Sequence, residues 1–431
     1  MKYSVTEYPI SRGGKGLIIN VPQSPVVASQ FRFRAGARYV NDYTNKSETA
    51  HIMEHMSFGA SKGFNSALEY DAAFTKNGAV HNAFTSDTSM GYVATCADFE
   101  WQRILELQRN ALCTPAFTAE EFKSEKGNVR SELTGYLAKA GWILAPKLDQ
   151  NLGRDTKTVQ EGLDSMRNIT LDDIRTHHDK THTMNNLRFI VAGNFTGERM
   201  EQLESILEGF TLPEGQRLDL PQDQLHSAAP IAIRRKDVPE IVLNFSLVHR
   251  QRLNASDSCA MSLLNHILTG TLHSRVQGAA RSRGLAYYVS SYCSHDHFST
   301  DWDFYTESTE GKLVDIAHLI VRELLRVRDG EISDSDLDAA KSYRLGRYQM
   351  GMQTTAQIAN FMAGPYFSDG VIERHEVMPS RINAVTKDQI VQVVRRFLSD
   401  NCWTLGVYGN TRKAVADRLG EIFAPLFNDL G

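Results

Sequence analysis

The chain has 431 residues, 42% of them hydrophobic, and its 47 Lys and Arg against 51 Asp and Glu leave a net charge of −4. That length accommodates two or three domains of ~100 to 200 residues, and the balanced charge provides no basic stripe of the kind nucleic-acid binding requires. No run approaches the ~20 apolar residues of a membrane span, "MKYSVTEYPISRGGKG" has no apolar signal region, and Cys96, Cys113, Cys259, Cys293 and Cys402 contain no Cys-x-x-Cys, so a cytoplasmic protein with neither nucleic acid nor membrane as partner is expected.

In chain order, "SQFRFRAGARY" (29–39) alternates like a half-buried strand. Next comes "TAHIMEHMSFGASK" (49–62), where His51, Glu54 and His55 would share one face of a helix at i, i+3 and i+4. "GAVHNAFTSDTSMGYVA" (78–94) reads as a strand pair in which Asn82 is either a strand residue or a turn residue. "FEWQRILELQRNALC" and "FKSEKGNVRSELTGYLAK" then carry helical periodicity. Farther on, "TLPEGQRLDLPQDQLHSAAP" is polar and proline-punctuated, which marks a linker and divides the chain nearly in half.

The halves repeat each other. "ITLDDI" and "FIVAGN" (Ile169 to Asn194) recur as "VTKDQI" and "LGVYGN" (Val385 to Asn410), an offset of 216 from 169 to 385. "FTAEEFKSEK" at Phe117 recurs as "ISDSDLDAAK" at Ile332, and "HIMEHMSFG" at His51 lies over "SLLNHILTG" at Ser262. Such steady offsets predict an α+β fold of two homologous domains, each a mostly antiparallel sheet with helices packed on one face. The divisions expected are residues 1–213, a linker at 214–229, and a second domain at 230–431.

His51 and His55 can offer imidazole nitrogens to a zinc ion, with Glu54 beside them to polarise a water. The motif alone is modest, since a His-x-x-Glu-His arises by chance in roughly 3% of shuffled chains of this composition. A third ligand is needed, and Glu125 and Glu132, seven residues apart on one helix, project to the same side. The second copy acts as a control: His51, Glu54, Glu125 and Glu132 become Ser262, Asn265, Ala340 and Arg347, while His55 persists as His266. Loss as a group fits a shared task rather than a structural one.

With Glu132 lying 77 residues beyond His55 (55 to 132), the pattern resembles the inverzincin metallopeptidases of the pitrilysin and insulinase type, which include the mitochondrial processing peptidase. The resemblance extends through "HNAFTSDTSMGY", "EKGNVRSEL" and "SRVQGAARSRGLAYYV". It implies one zinc per chain held by His51, His55 and Glu132, Glu54 as general base, and Glu125 orienting a ligand histidine. It further implies that Asn82 and Ala83 lie on an edge strand to which an extended peptide is added. Tyr287 with either Arg281 or Arg283 would hold the substrate backbone. The expected activity is endopeptidase cleavage of short or unfolded polypeptides in a chamber of four half-units, hence a homodimer or a heterodimer with a related chain, with the second domain binding substrate.

Other readings fit less well. A non-catalytic subunit of a processing-peptidase-like complex shares this fold but usually lacks an intact motif, and single-domain S-ribosylhomocysteine lyases are too short and have no repeat. His178 with His182, and His295 with His297 on one strand face, are expected to be solvated or capping residues, and "RHEVMPS" has Pro379 where His-Glu-x-x-His needs its second histidine.

Overall fold

The computed structural model describes residues 2–427. Among these it contains two compact units, one built from residues 2–137, 159–221 and 351–373 and the other from residues 138–158, 222–350 and 374–427.

In the first unit β1 (Ser4–Pro9), β2 (Lys15–Asn20), β3 (Val26–Phe33), β4 (Val80–Thr85), β5 (Met90–Ala97) and β6 (Arg188–Gly193) form one sheet in the order β1-β2-β6-β3-β5-β4. Every pairing is antiparallel except β2 with β6. Strand alternation sorts the side chains of β3: Val27, Phe31 and Phe33 enter the core shared with the helices of the same half, whereas Ala28 enters a smaller cluster on the opposite face. That second face, formed also by Leu17, Ile19, Ile190 and Ala192, is covered by a single helix, Thr355–Asp369, drawn from far along the chain. The expected strand over 29–39 stops at Phe33, and the chain turns into a short 3-10 segment at Ala37–Tyr39.

The second unit repeats the scheme. Its strands β7 (Ile231–Arg234), β8 (Ile241–His249), β9 (Val289–His295), β10 (Thr300–Ser308) and β11 (Asn401–Gly409) run in the order β7-β11-β8-β10-β9, with only β7 and β11 parallel. Position by position this is the first sheet without β1. Phe245, Leu247, Trp302, Phe304 and Leu405 face the main helical layer. On the other face Val242 and Tyr408 meet Leu144 and Leu148 of the Ala140–Asn151 helix.

Each sheet is thus mostly antiparallel with its own helices on one face, and one helix from the other half of the sequence lies on the second. Residues 211–230 form neither helix nor strand. No helix among the described residues is long and apolar enough to cross a membrane.

Candidate metal centre

The Thr49–Met56 helix has eight residues, too few to persist without tertiary packing. Ile52, Met53 and Met56 supply that packing, being buried in the core of the first unit. His51, Glu54 and His55 occupy the opposite arc. The Ala119–Tyr136 helix lies against it and begins at Thr118, whose hydroxyl accepts the Glu121 N–H at 3.2 Å. Along this helix Glu125, Val129, Glu132 and Tyr136 fall three or four residues apart on one stripe, so the burial of Val129 aims its acidic neighbours at the histidines.

Glu132 Oε2 lies 3.8 Å from His51 Nε2 and 3.6 Å from His55 Nε2. A tetrahedral ion with bonds of 2.0–2.1 Å separates its ligands by about 3.3 Å, so these two separations need only a small contraction, and all three donors lie within 4.8 Å of one another. The remaining polar atoms of all three side chains are already engaged. His51 Nδ1 is 3.0 Å from Glu48 Oε2, His55 Nδ1 is 3.1 Å from Glu125 Oε2, and Glu132 Oε1 accepts the Tyr136 hydroxyl. Two imidazoles with their Nδ1 atoms on carboxylates leave both Nε2 lone pairs free. The Glu132 side chain is 36% exposed, so the group is open on one side. Two nitrogen donors, one oxygen donor and an open side fit a zinc ion of the catalytic type.

Glu54 is held between this helix and the edge of the sheet, because its Oε2 accepts the Thr85 hydroxyl at 2.8 Å from β4. Burial pushes the Glu54 carboxyl up, opposed by the Thr85 hydrogen bond and the nearby histidines. Glu125 moves down, chiefly through its hydrogen bond to His55. Burial disfavours the charged form of His51, but the Glu48 hydrogen bond and charge outweigh it, and the net shift is upward. Tyr136, donating to Glu132, is pushed up to about 12.

Glu48, Thr85 and Tyr136 were missed in the sequence. Glu48 precedes His51 by three residues and Tyr136 follows Glu132 by four, so the same-face rule that groups His51 with His55 and Glu125 with Glu132 also reaches these two. Thr85 has no local signal, since its contact depends on how β4 meets the helix.

Asn82 and Ala83 lie inside β4, the outermost strand of its sheet, and Asn82 is exposed with its Oδ1 accepting the Ala83 N–H at 3.0 Å. Asn82 is therefore a strand residue, and its reading as a turn residue does not hold. In the second unit the Arg281 guanidinium lies 4.0 Å from the centre of the Tyr287 ring and donates to the Tyr287 carbonyl at 2.9 Å, with both residues exposed. Arg283 is also exposed and ends the Arg275–Ser282 helix.

The expectation of solvated or capping roles for the other histidines holds in one part and needs correction in two. His182 caps the end of the Leu171–Thr181 helix, its backbone N–H donating to the His178 carbonyl, but neither it nor His178 is solvated: their rings stack 4.7 Å apart, His182 Nε2 is 2.9 Å from the Tyr92 hydroxyl, and His178 Nε2 is 3.2 Å from the Leu112 carbonyl. Burial pushes both below the usual histidine range and keeps them neutral. His295 ends β9 and His297 lies in the turn beyond it, so they do not share a strand face.

Comparison with known proteins bears on this geometry. The family model described as Insulinase (Peptidase family M16) matches residues 16–161, and that of the Peptidase M16 inactive domain matches residues 168–343. A zinc protease of Helicobacter pylori, PqqE, is 21% identical over 375 residues, covering 80% of this chain and 80% of that protein. The crystal structure of a peptidase M16 inactive domain from Pseudomonas fluorescens superposes with a TM-score of 0.82 at 18% identity, over 95% of this chain and 98% of that one. A chain of complex III from Candida albicans gives a TM-score of 0.80 at 14% identity, over 97% and 100%.

Proposed function

The chain belongs to the M16, or insulinase, peptidase family, and from that premise we propose that it is a zinc metalloendopeptidase acting on short or unfolded polypeptides. The observation that carries this reading is the convergence of His51, His55 and Glu132, whose donor atoms all lie within 4.8 Å of one another while Glu54 stands on the same helix face.

His51 Nε2, His55 Nε2 and Glu132 Oε2 are the atoms that would hold the ion. A zinc ion supplies Lewis acidity, lowering the pKa of water to about 7 and polarising a carbonyl. Glu54, whose carboxylate burial makes more basic, would take the proton of the attacking water and return it to the departing amine. Thr85 holds the carboxylate by one oxygen and leaves the other for that exchange. Asn82 and Ala83 lie on β4, whose side away from β5 offers an edge to which an extended peptide adds as a further strand. In the second unit, Arg281 packed on Tyr287 is the better candidate than Arg283 for holding the substrate backbone.

On this reading residues 1–213 carry catalysis and 230–431 bind substrate. Two such chains, identical or related, complete a chamber of four half-units. No disulfide joins any of the five cysteines among the described residues, which favours a reducing, cytoplasmic setting.

The likeness to a complex III chain and to an inactive M16 domain favours a second reading, a non-catalytic subunit of a related assembly. Metal content and turnover of a quenched peptide discriminate between them. Glu54→Gln is expected to retain zinc and lose roughly 10²–10⁴-fold in rate, while Glu132→Gln loses most of the metal. Wild-type protein that neither binds zinc nor cleaves peptide supports the subunit reading instead.

A further inference from the structure

We infer that Glu48 is a positioning residue for the metal centre, fixing the ring of His51 so that Nε2 faces the ion; the inference rests on the metallopeptidase reading above. The Glu48 carboxylate and the His51 ring are largely enclosed, with side chains 15% and 19% exposed, and meet through Oε2 and Nδ1 at 3.0 Å. Among the described residues His51 is the only ion-pair partner of Glu48. The carboxylate therefore serves this imidazole alone. The arrangement mirrors Glu125 on His55, so each ligand histidine gives its Nδ1–H to its own carboxylate and becomes a stronger donor through Nε2.

The neighbouring helix, Val159–Ser165, is shaped to hold Glu48 in place. Its Ser165 hydroxyl accepts the Glu48 backbone N–H at 3.4 Å and itself donates to the Gly162 carbonyl at 2.8 Å. A Cβ on Gly162 would stand 2.6 Å from Glu48 Oε1 and 3.2 Å from its Cδ, so a side chain there must displace the carboxylate. The second half of the chain adds an independent observation. At the offset that aligns His51 with Ser262 (51 to 262), Glu48 falls on Cys259, so where the ligand is absent its carboxylate is absent too.

The test measures zinc affinity of the full chain by competition with a chromophoric chelator, for wild type, Glu48→Ala, Glu48→Gln, Gly162→Ala and the Glu48→Ala/Gly162→Ala double variant. Glu48→Ala should weaken zinc binding ~10–100-fold, and Glu48→Gln, which still accepts the Nδ1–H, should recover part of that loss. Gly162→Ala should weaken zinc binding in the wild-type background and add nothing once Glu48 is alanine. Melting of the zinc-free forms separates a folding defect from a positioning one, because the non-additivity in affinity persists whatever the stability of each variant. Wild-type affinity in Glu48→Ala, or an equal Gly162→Ala penalty in both backgrounds, overturns the role of Glu48 while leaving the metallopeptidase reading intact. If wild type binds no zinc, both readings fall together.

Discussion

On β10, Asp303 turns toward the sheet face covered by the Ala140–Asn151 helix, beside Asp301, Asp149 and Arg154, and accepts the hydroxyl of Ser246 from β8. Burial pushes its carboxyl up to about 7 from 3.8, with Asp301 adding to the rise and the Ser246 hydrogen bond and Arg154 opposing it. Because the folded-state pKa is raised, the folded protein holds a proton that the unfolded chain releases. The stabilisation this gives is complete below about pH 4 and is lost as pH rises through 7. A rise of that size is worth about 4 kcal/mol at most. Asp303→Asn, which stays neutral, should therefore melt above wild type at pH 8, with the difference gone by about pH 4; parallel melting curves from pH 4 to 8 would refute the assignment. The grouping of His51, His55 and Glu132 was legible in the sequence because helix periodicity is local and the chemistry of a candidate metal site restricts residue type. Asp303 was not, since alternation marks it only as facing away from Trp302 and Phe304, and what waits on that face comes from a helix that lies far earlier in the chain.

At the scale of elements, the Thr355–Asp369 helix shows where local pattern stops short. Its start is well specified, Thr354 and Gln357 forming a reciprocal capping box, and it ends at Gly370 in the left-handed region at φ 71°. Between them Ile358, Ala359, Met362, Ala363 and Tyr366 form the stripe against the first sheet, fastened at one end by the Ser24 and Thr355 hydroxyls 2.5 Å apart and in the middle by Gln30 Nε2 on Asn360 Oδ1 at 2.5 Å. Phe361 and Phe367 add apolar surface off that stripe, so periodicity gives no clear outward face, and no local rule says which sheet a helix will cover. Met362 is fully buried against that sheet. Met362→Ala should cost about 2–5 kcal/mol, read as a lower denaturant midpoint at unchanged zinc stoichiometry. An unchanged midpoint would mean that the helix does not cover the sheet in solution.

At the scale of the whole molecule, the repeat seen as steady offsets in sequence reappears as one strand order used twice, β2-β6-β3-β5-β4 and β7-β11-β8-β10-β9. Duplication was legible because both copies kept their helix and strand periods while His51, Glu54, Glu125 and Glu132 diverged. The exchange of one segment by each half, residues 138–158 and 351–373, left no such trace, and it alters what a half-chain can do. Cut between residues 221 and 222, the first fragment lacks the Thr355–Asp369 helix, and Leu17, Ile19 and Ile190 lose their cover. At roughly 1.5–3 kcal/mol for each such side chain, the loss rivals the 5–15 kcal/mol by which a typical domain is stable. The second fragment lacks the Ala140–Asn151 helix and exposes Val242 and Tyr408. Each fragment alone is therefore expected to aggregate, whereas the two expressed together should copurify as one soluble complex that binds zinc. Met362→Asp in the second fragment, which puts an unpaired charge against the first sheet, should abolish that rescue. A first fragment that is monomeric and unfolds cooperatively by itself would show that the exchanged helix is dispensable, and the metal centre could then be studied within residues 1–221 alone.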